Sequence, residues 1–138
     1  MKLLLFLAAD CANVTREGKL NVMGVFNDIN SFQFPARHSS MHLVAKLGAE
    51  LGEYGQTRDF TVQLLDADGN PIFDVAGQFQ FPQGGHGRKP EINLILELKD
   101  IVFPKEGTYV FVLLVDKDHK GDLSLYVNKV DAPKAAEE

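Results

Sequence analysis

The sequence predicts an all-β protein, specifically an antiparallel β-sandwich of about eight strands with an immunoglobulin-like architecture. Apolar and polar residues alternate with a period of two in much of the chain, as at Phe60, Val62 and Leu64. Such alternation is typical of strands that bury one face. Turn-forming residues separate the alternating segments at the short intervals typical of sandwiches and barrels.

The segment 104–130 provides a further observation in favour of a sandwich. It contains a turn, an apolar strand, a polar loop and a final strand. Tyr109 begins the apolar strand shortly after Gly107, and its hydroxyl group can bond back to the preceding corner, as in immunoglobulin-like domains. We therefore predict structural roles for Gly107 and Tyr109. The likeness is architectural, because the chain has a single Cys and no Trp.

The alternation and the turns together predict the order of strands along the chain. Gly69 can adopt a positive φ in the turn between the fourth and fifth strands. The dipeptide Phe-Pro occurs three times, and each is expected to end a strand because proline lacks an amide donor. The predicted strands are residues 2–12, 19–29, 41–50, 58–67, 72–81, 92–101, 108–116 and 123–130.

The N-terminal residues permit two interpretations. One positive residue, an apolar run from Leu3 to Ala9 and then Cys11 are similar to a lipoprotein signal. The run is at the short end of the signal core, which spans about 7–15 residues. Asp10 also stands where processing requires a small residue. We therefore predict a retained first strand that is buried in the domain.

Length and charge limit the possible classes of function. The 138 residues suit one domain, predicted over residues 1–130 with a flexible polar tail at 131–138. A net charge of −5 disfavours nucleic acid and anionic membranes as partners, since both attract clustered Lys and Arg. A single cysteine fits a reducing compartment. These observations predict a cytoplasmic protein with no nucleic-acid partner and no membrane partner.

Three segments, at residues 5–13, 17–26 and 102–109, resemble a family of small bacterial proteins catalogued only as a domain of unknown function. The resemblance extends to about residue 130. It implies a small all-β protein without an assigned activity. The matching positions belong to strands and turns, so the resemblance implies no catalytic residue.

Strict alternation of strand direction predicts which loops lie together. Loops 14–18, 51–57, 82–91 and 117–122 would then share one end of the sandwich, and loop ends are where sandwiches usually bind. Acidic neighbours balance the basic residues there, as on surfaces that contact proteins. The candidate binding residues at this end are Arg16, Tyr54, His86, Arg88, Lys89 and His119.

Metal and catalytic motifs are weak in this sequence. Asp116, Asp118 and Asp122 are spaced like the start of a calcium loop, but Lys120 occupies a ligand position. They are weak candidates for metal binding, and a solvated loop is the favoured interpretation. The Gly-rich segment 82–91 could bind an anion through backbone amides, although its spacing is not that of a phosphate loop. The sequence predicts no cofactor and no catalytic residue.

Several strands are apolar on both faces, which is unusual because antiparallel sheets normally leave one face polar. Either a loop at 30–40, through Phe32 and Phe34, or a second subunit is expected to cover the extra face. The candidate oligomer face comprises Met23, Val25, Val110, Val112 and Leu114.

The sequence therefore favours a non-catalytic protein-binding or assembly module. Its expected partner is another protein or a second copy of the chain in a homodimer. One alternative is a small-ligand or metal-ion binding protein that uses loops 82–91 and 116–122. A hydrolase whose site is formed by distant residues is the third possibility.

Overall fold

The computed structural model describes residues 1–50, 52–83 and 87–131. The described residues form β-strands joined by turns and loops, which confirms the all-β class. No helix within these ranges is long and apolar enough to cross a membrane. The strands are β1 (Lys2–Val14), β2 (Leu20–Phe26), β3 (Asp28–Ser31), β4 (Ala36–Gly48), β5 (Thr57–Leu65), β6 (Pro71–Gln80), β7 (Glu91–Phe103), β8 (Gly107–Val115) and β9 (Asp118–Lys129).

The strands form two sheets of different character. In the first sheet the order is β2-β1-β4-β7, and every neighbouring pair is antiparallel. In the second sheet the order is β3-β9-β8-β5-β6. There β3 pairs parallel with β9, while the other pairs are antiparallel. The prediction of purely antiparallel pairing is therefore wrong for the second sheet, which is mixed.

The difference arises where a single strand was predicted at residues 19–29. The structure has two strands there, because β2 ends at Phe26 in the first sheet and β3 begins at Asp28 in the second. The backbone carbonyl of Asn27, between them, accepts a hydrogen bond of 2.7 Å from the amide of Tyr126. The chain therefore passes from one sheet to the other within a single residue.

The additional strand changes the direction of the strands that follow. Lys2, at the start of β1, pairs with Gly48 at the end of β4. Val14, at the end of β1, pairs with Leu20 across the β1–β2 turn. The β1–β2 turn and the β4–β5 loop consequently lie at opposite ends of the first sheet. Strict alternation over eight strands had predicted that they share an end.

Buried side chains from both sheets form one hydrophobic cluster. In β8 the alternation is complete, since Tyr109, Phe111 and Leu113 are buried while Val110 and Val112 on the other face are half-buried. The largest fully buried side chains are Tyr109, Phe81, Phe103, Phe111, Met41, Leu43, Leu47, Leu64, Leu113 and Leu125.

Tyr109 closes the corner between β7 and β8. Its side chain is 1% exposed, and its hydroxyl group donates a hydrogen bond of 2.6 Å to the carbonyl oxygen of Lys105. Its ring meets that of Phe103 edge-on at 5.0 Å between centroids. Gly107 has a φ of 150°, a value that side chains disfavour, so a glycine is suited to the turn into β8.

We expect Tyr109→Phe to lower the free energy of unfolding by about 1 kcal/mol, because the part-buried hydrogen bond to the Lys105 carbonyl is lost. Urea denaturation followed by circular dichroism measures this change. Tyr126→Phe is the control, since that side chain is 42% exposed and should change stability by less than about 0.5 kcal/mol. Equal denaturation midpoints for wild type and Tyr109→Phe would contradict the structural role of the hydroxyl group.

Candidate functional site

One side of the molecule is open between the two sheets. β7 is the last strand of the first sheet, and β6 is the last strand of the second. Within the described part of the chain, neither strand has a pairing partner on its outer edge. Residues of both strands nevertheless line a common groove, so the two free edges border the same space.

The groove has a volume of about 470 Å³. Ile72, Phe73 and Val75 of β6 form one wall, and residues 97–102 of β7 form the other. Leu98 and Ile101, which lie on the second wall, are buried members of the core. Typical ligand pockets measure about 300–1,000 Å³ and are mostly apolar, so the groove has the size and the lining of a binding site.

The hydrophobic core is least complete along this open side. Among the described residues, thirteen partly buried apolar residues pack against the core, and seven of them lie on β6 or β7. Strands in the middle of a sheet bury such residues on both sides, whereas an edge strand leaves them partly in water. The seven residues are Ile72, Phe73, Val75, Phe79, Ile92, Leu94 and Leu96.

An aromatic cluster fills the space between the sheets near the end of β6. The ring of Phe79 lies 6.3 Å from that of Phe60 and 5.4 Å from that of Phe81. Gly77 permits this packing, because a Cβ atom there would lie 2.7 Å from the Phe60 ring. The groove therefore opens along the first part of β6, from Ile72 to Val75.

Exposed ion pairs border the groove on β7. The ammonium group of Lys99 lies 3.4 Å from a carboxylate oxygen of Glu97. The guanidinium group of Arg37 lies 3.2 Å from Asp100. Asp100 has a φ of 56°, which marks a local irregularity of the strand. The border thus carries both signs of charge around an apolar floor.

Three of the candidate binding residues come together at the loop end. Tyr54, Arg88 and Lys89 line a second pocket, of about 340 Å³, together with Glu50. The Lys89 ammonium group donates a hydrogen bond of 2.9 Å to Glu50. This hydrogen bond and the positive charge hold the pKa of Glu50 below its ordinary value. The charge of Lys89 is therefore already paired with a carboxylate.

The other candidate binding residues do not join that pocket. Arg16 lies in the β1–β2 turn at the opposite end of the first sheet, so the prediction that it shares an end with Tyr54 is wrong. The extra strand β3 is the cause. His119 is exposed on β9, with Nε2 3.8 Å from an oxygen of Asp122. His86 lies outside the described residues.

Asp116 is held by the protein itself. One carboxylate oxygen accepts a hydrogen bond of 3.1 Å from the amide of Asp59, and the other accepts one of 3.0 Å from Arg58. Together these two donors lower the pKa of Asp116. Arg58 also lies 3.5 Å from Glu53. Burial alone would raise the pKa of Glu53, but hydrogen bonds from the Met1 α-amino group and the Glu50 amide outweigh burial and lower it.

The aspartates proposed as weak metal candidates are arranged differently from a metal site. Asp116 uses both of its oxygens within the protein. Asp118 and Asp122 are exposed. In the described ranges, no group of three or more His, Cys, Asp or Glu side chains is placed to hold a metal ion. The turn at 116–117 is instead stabilised by Arg58.

The candidate oligomer face is divided between the two sheets. Met23 and Val25 lie on β2 of the first sheet and are 70% and 61% exposed. Val110, Val112 and Leu114 lie on β8, inside the second sheet. The five residues therefore do not form one surface. The prediction failed because sequence alone cannot assign strands to sheets.

The phenylalanines that were expected to cover the extra face lie in the loop between β3 and β4. Phe34 packs against the core, and Phe32 is exposed.

Sequence reasoning did not identify the open side as a site. The apolar residues of β6 and β7 alternate like those of any strand, and strand order is not visible in a single sequence. The one signal was in β7, where Ile92, Leu94, Ile95 and Leu96 are apolar on both faces. Two-sided apolar character is typical of a strand that is covered on both sides.

Residues 4–128 match the family model of a family of unknown function (DUF6941). The chain belongs to this family. Membership confirms the resemblance seen in the sequence, and it assigns no activity. No curated protein matches the chain. The solved structure of the Pseudomonas fluorescens alkylpurine DNA glycosylase AlkC is similar to it at 13% identity, with a TM-score of 0.49. That match covers 92% of this chain and 30% of the glycosylase.

The prediction that excluded a nucleic-acid partner is corrected by this comparison. The glycosylase structure contains bound DNA with an abasic-site analogue, and the exclusion of nucleic acid is withdrawn. The physical reason is that a net charge of −5 describes the whole chain, whereas binding depends on the charge of one surface. At a TM-score of 0.49 the likeness carries no argument that this chain itself binds DNA.

We expect Asp116→Asn to make the stability less dependent on pH in the acid range. A carboxyl group whose pKa is lowered by folding contributes stability that is complete above the ordinary value of 3.8 and is lost as the pH falls through the folded value. Urea denaturation from neutral pH to below pH 3.8 should therefore show a shallower decline for Asp116→Asn than for wild type.

Asp118→Asn is the matched control for this measurement. Asp118 is exposed, and among the described residues its carboxylate has neither a salt bridge nor a hydrogen bond. Its variant should follow the decline of wild type. A decline of the same steepness in Asp116→Asn and Asp118→Asn would show that the contacts with Arg58 and Asp59 do not contribute.

Proposed function

We propose that this protein is a non-catalytic protein-binding module that holds a segment of a partner protein in the groove between β6 and β7. The observation that supports the proposal is the pair of free strand edges with half-buried apolar side chains between them. Exposed apolar grooves bordered by polar residues are typical of interaction sites. An open strand edge is itself a template for pairing with another chain.

The chemistry of the groove supports binding rather than catalysis. Six of the nine residues that line it are aliphatic or aromatic, and such side chains exclude water but exchange no protons. The charged residues on its border form exposed ion pairs, Glu97 with Lys99 and Asp100 with Arg37. Mixed charge around an apolar centre resembles the rim and core of a protein interface.

We also infer a single-domain, immunoglobulin-like sandwich over residues 1–130. The common core of the two sheets and the hydrogen bond from Tyr109 to Lys105 support this architecture. The free thiol of Cys11 is exposed, which favours a reducing compartment such as the cytoplasm.

A small anionic ligand at the loop end is a second candidate. The pocket that contains Tyr54, Arg88 and Lys89 supports it, because these three predicted binding residues lie together there. The pairing of Lys89 with Glu50 weakens this candidate, since a ligand would have to compete with a carboxylate already in place. We therefore favour the groove.

We expect the wild-type protein to select binding peptides from a displayed library of random segments of about ten residues, the length of a typical strand. For the selected peptides, Val75→Lys should weaken binding at least about tenfold, because it places a charge among the apolar walls of the groove. Fluorescence anisotropy with labelled peptides measures the dissociation constants.

The control for this experiment is Val25→Lys, the same substitution on β2 at the opposite edge of the first sheet. Binding should persist in this variant, and both variants should keep the circular dichroism spectrum of wild type. Loss of binding in Val25→Lys alone would place the interaction on β2. If the library yields no binding peptide, the proposed function is wrong.

A further inference from the structure

We infer that the ligand of the groove is an extended strand that pairs with the free edge of β7 and so continues the first sheet. This inference rests on the proposed function and adds the conformation and the chemistry of the ligand. It follows from three features of β7: a regular edge, an apolar sequence without the usual protection, and alternating side chains that pack against the core at the open side.

The first feature is the regularity of the edge. Residues 91–99 of β7 pair with β4 in continuous register, from Glu91 opposite Gly48 to Lys99 opposite Ser40. An unbroken ladder on one side leaves a regular row of donors and acceptors on the other. In the described part of the chain, no strand uses that row. Its length suits a partner strand of ordinary size.

The second feature is the lack of protection in the middle of the edge. Proteins usually protect edge strands with charged residues, proline or bulges. β7 carries such features at its start, with Glu91, and toward its end, where Glu97 and Lys99 precede Asp100 at a φ of 56°. The stretch Ile92–Leu96 has four aliphatic residues around Asn93, and all five are half-buried. Such an edge is suited to pairing rather than to exposure.

β6 is less suited to the same role. It begins with Pro71, which has no amide to donate, and Gly77 interrupts its side chains. Its pairing with β5 is also irregular, because the register shifts between Leu64 and Leu65. β7 is therefore the edge that can accept a strand over a longer uninterrupted distance.

The third feature determines the sequence of the ligand. Ile92, Leu94 and Leu96 pack against the core at the open side, so a strand beside them would place every second side chain in the same apolar space. Glu97 is exposed on the other face, and among the described residues only one of its carboxylate oxygens has a partner, Lys99. Opposite charges on adjacent strands attract. The expected ligand thus alternates aliphatic with polar residues and carries Lys or Arg near Glu97.

A synthetic peptide with this pattern, Ac-KVTVKVTVK-amide, serves as the probe. We expect this peptide to bind along the edge of β7, and we expect its N-methylated forms to differ from one another in affinity. Neighbouring residues of a strand direct their amides to opposite sides, so only every second amide of the ligand faces β7. N-methylation of one alternate set should weaken binding at least about tenfold, and N-methylation of the other set should have a much smaller effect.

Hydrogen exchange provides an independent readout of the same inference. With saturating peptide, the outward-facing amides, every second one within residues 91–99, should exchange at least about tenfold more slowly, because the new ladder shields them. The amides of β2, at the other edge of the first sheet, serve as the internal control and should not change.

The outcomes separate this inference from the proposed function. If the library peptides bind but the two N-methylated sets of the probe are equivalent, the strand inference is wrong and the protein-binding proposal stands. Failure of the probe to bind, or exchange protection outside β7, also overturns the strand inference. Failure to select any peptide removes the proposed function as well.

Discussion

The fold depends on the point at which the chain leaves one sheet and enters the other. The carbonyl group of Asn27 accepts the amide of Tyr126 there, and β3 then pairs in parallel with β9. The chain running from β2 into β3 therefore connects the sheets along one side of the molecule. β2 and β3 both lie on that side. The strands at the other ends of the two sheets, β7 and β6, therefore face each other, and in the described part of the chain no ladder joins them.

The open side is a consequence of how backbone groups are satisfied. Every strand must pair its donors and acceptors with another strand or with water. On the joined side, the chain itself runs from β2 through Asn27 into β3, whereas in the described part of the chain the outer groups of β6 and β7 are left to solvent or to a partner. Core packing follows the same asymmetry, since Leu43 and Leu113 are fully enclosed while Leu94 and Leu96 are half-buried.

The sequence predicts the local structure well, because local structure depends on the alternation of side chains and on turn chemistry. All eight predicted segments overlap strands of the structure. β3 was missed because its four residues, Asp28–Ser31, contain one apolar residue and show no measurable alternation. A missed strand of this length is a small local error. It nevertheless reverses each inference that compares the direction of a strand before β3 with that of a strand after it.

Arg16 shows how that local error affects the site. Its position in a turn was foreseen, but the end of the sheet at which the turn lies depends on the parity of the strands before β4. Met23 and Val110 were likewise predicted to share a face, but β2 and β8 belong to different sheets. That assignment is a property of the whole topology and is not visible in the sequence. Residue types predict elements, whereas the relation between elements requires the structure.

The open side illustrates why residue types alone do not reveal a site that is formed by a free strand edge. Loops that contain His, Arg and Asp are readily proposed as sites, because these side chains carry charge or exchange protons. The side chains of Ile92, Leu94 and Leu96 do neither, and in the sequence they resemble those of any buried strand. Their significance comes from their position, since in the described part of the chain this aliphatic strand of regular register lies at a free edge, where only another strand could satisfy both its backbone and its side chains. The same residues placed in the middle of a sheet would indicate stability alone.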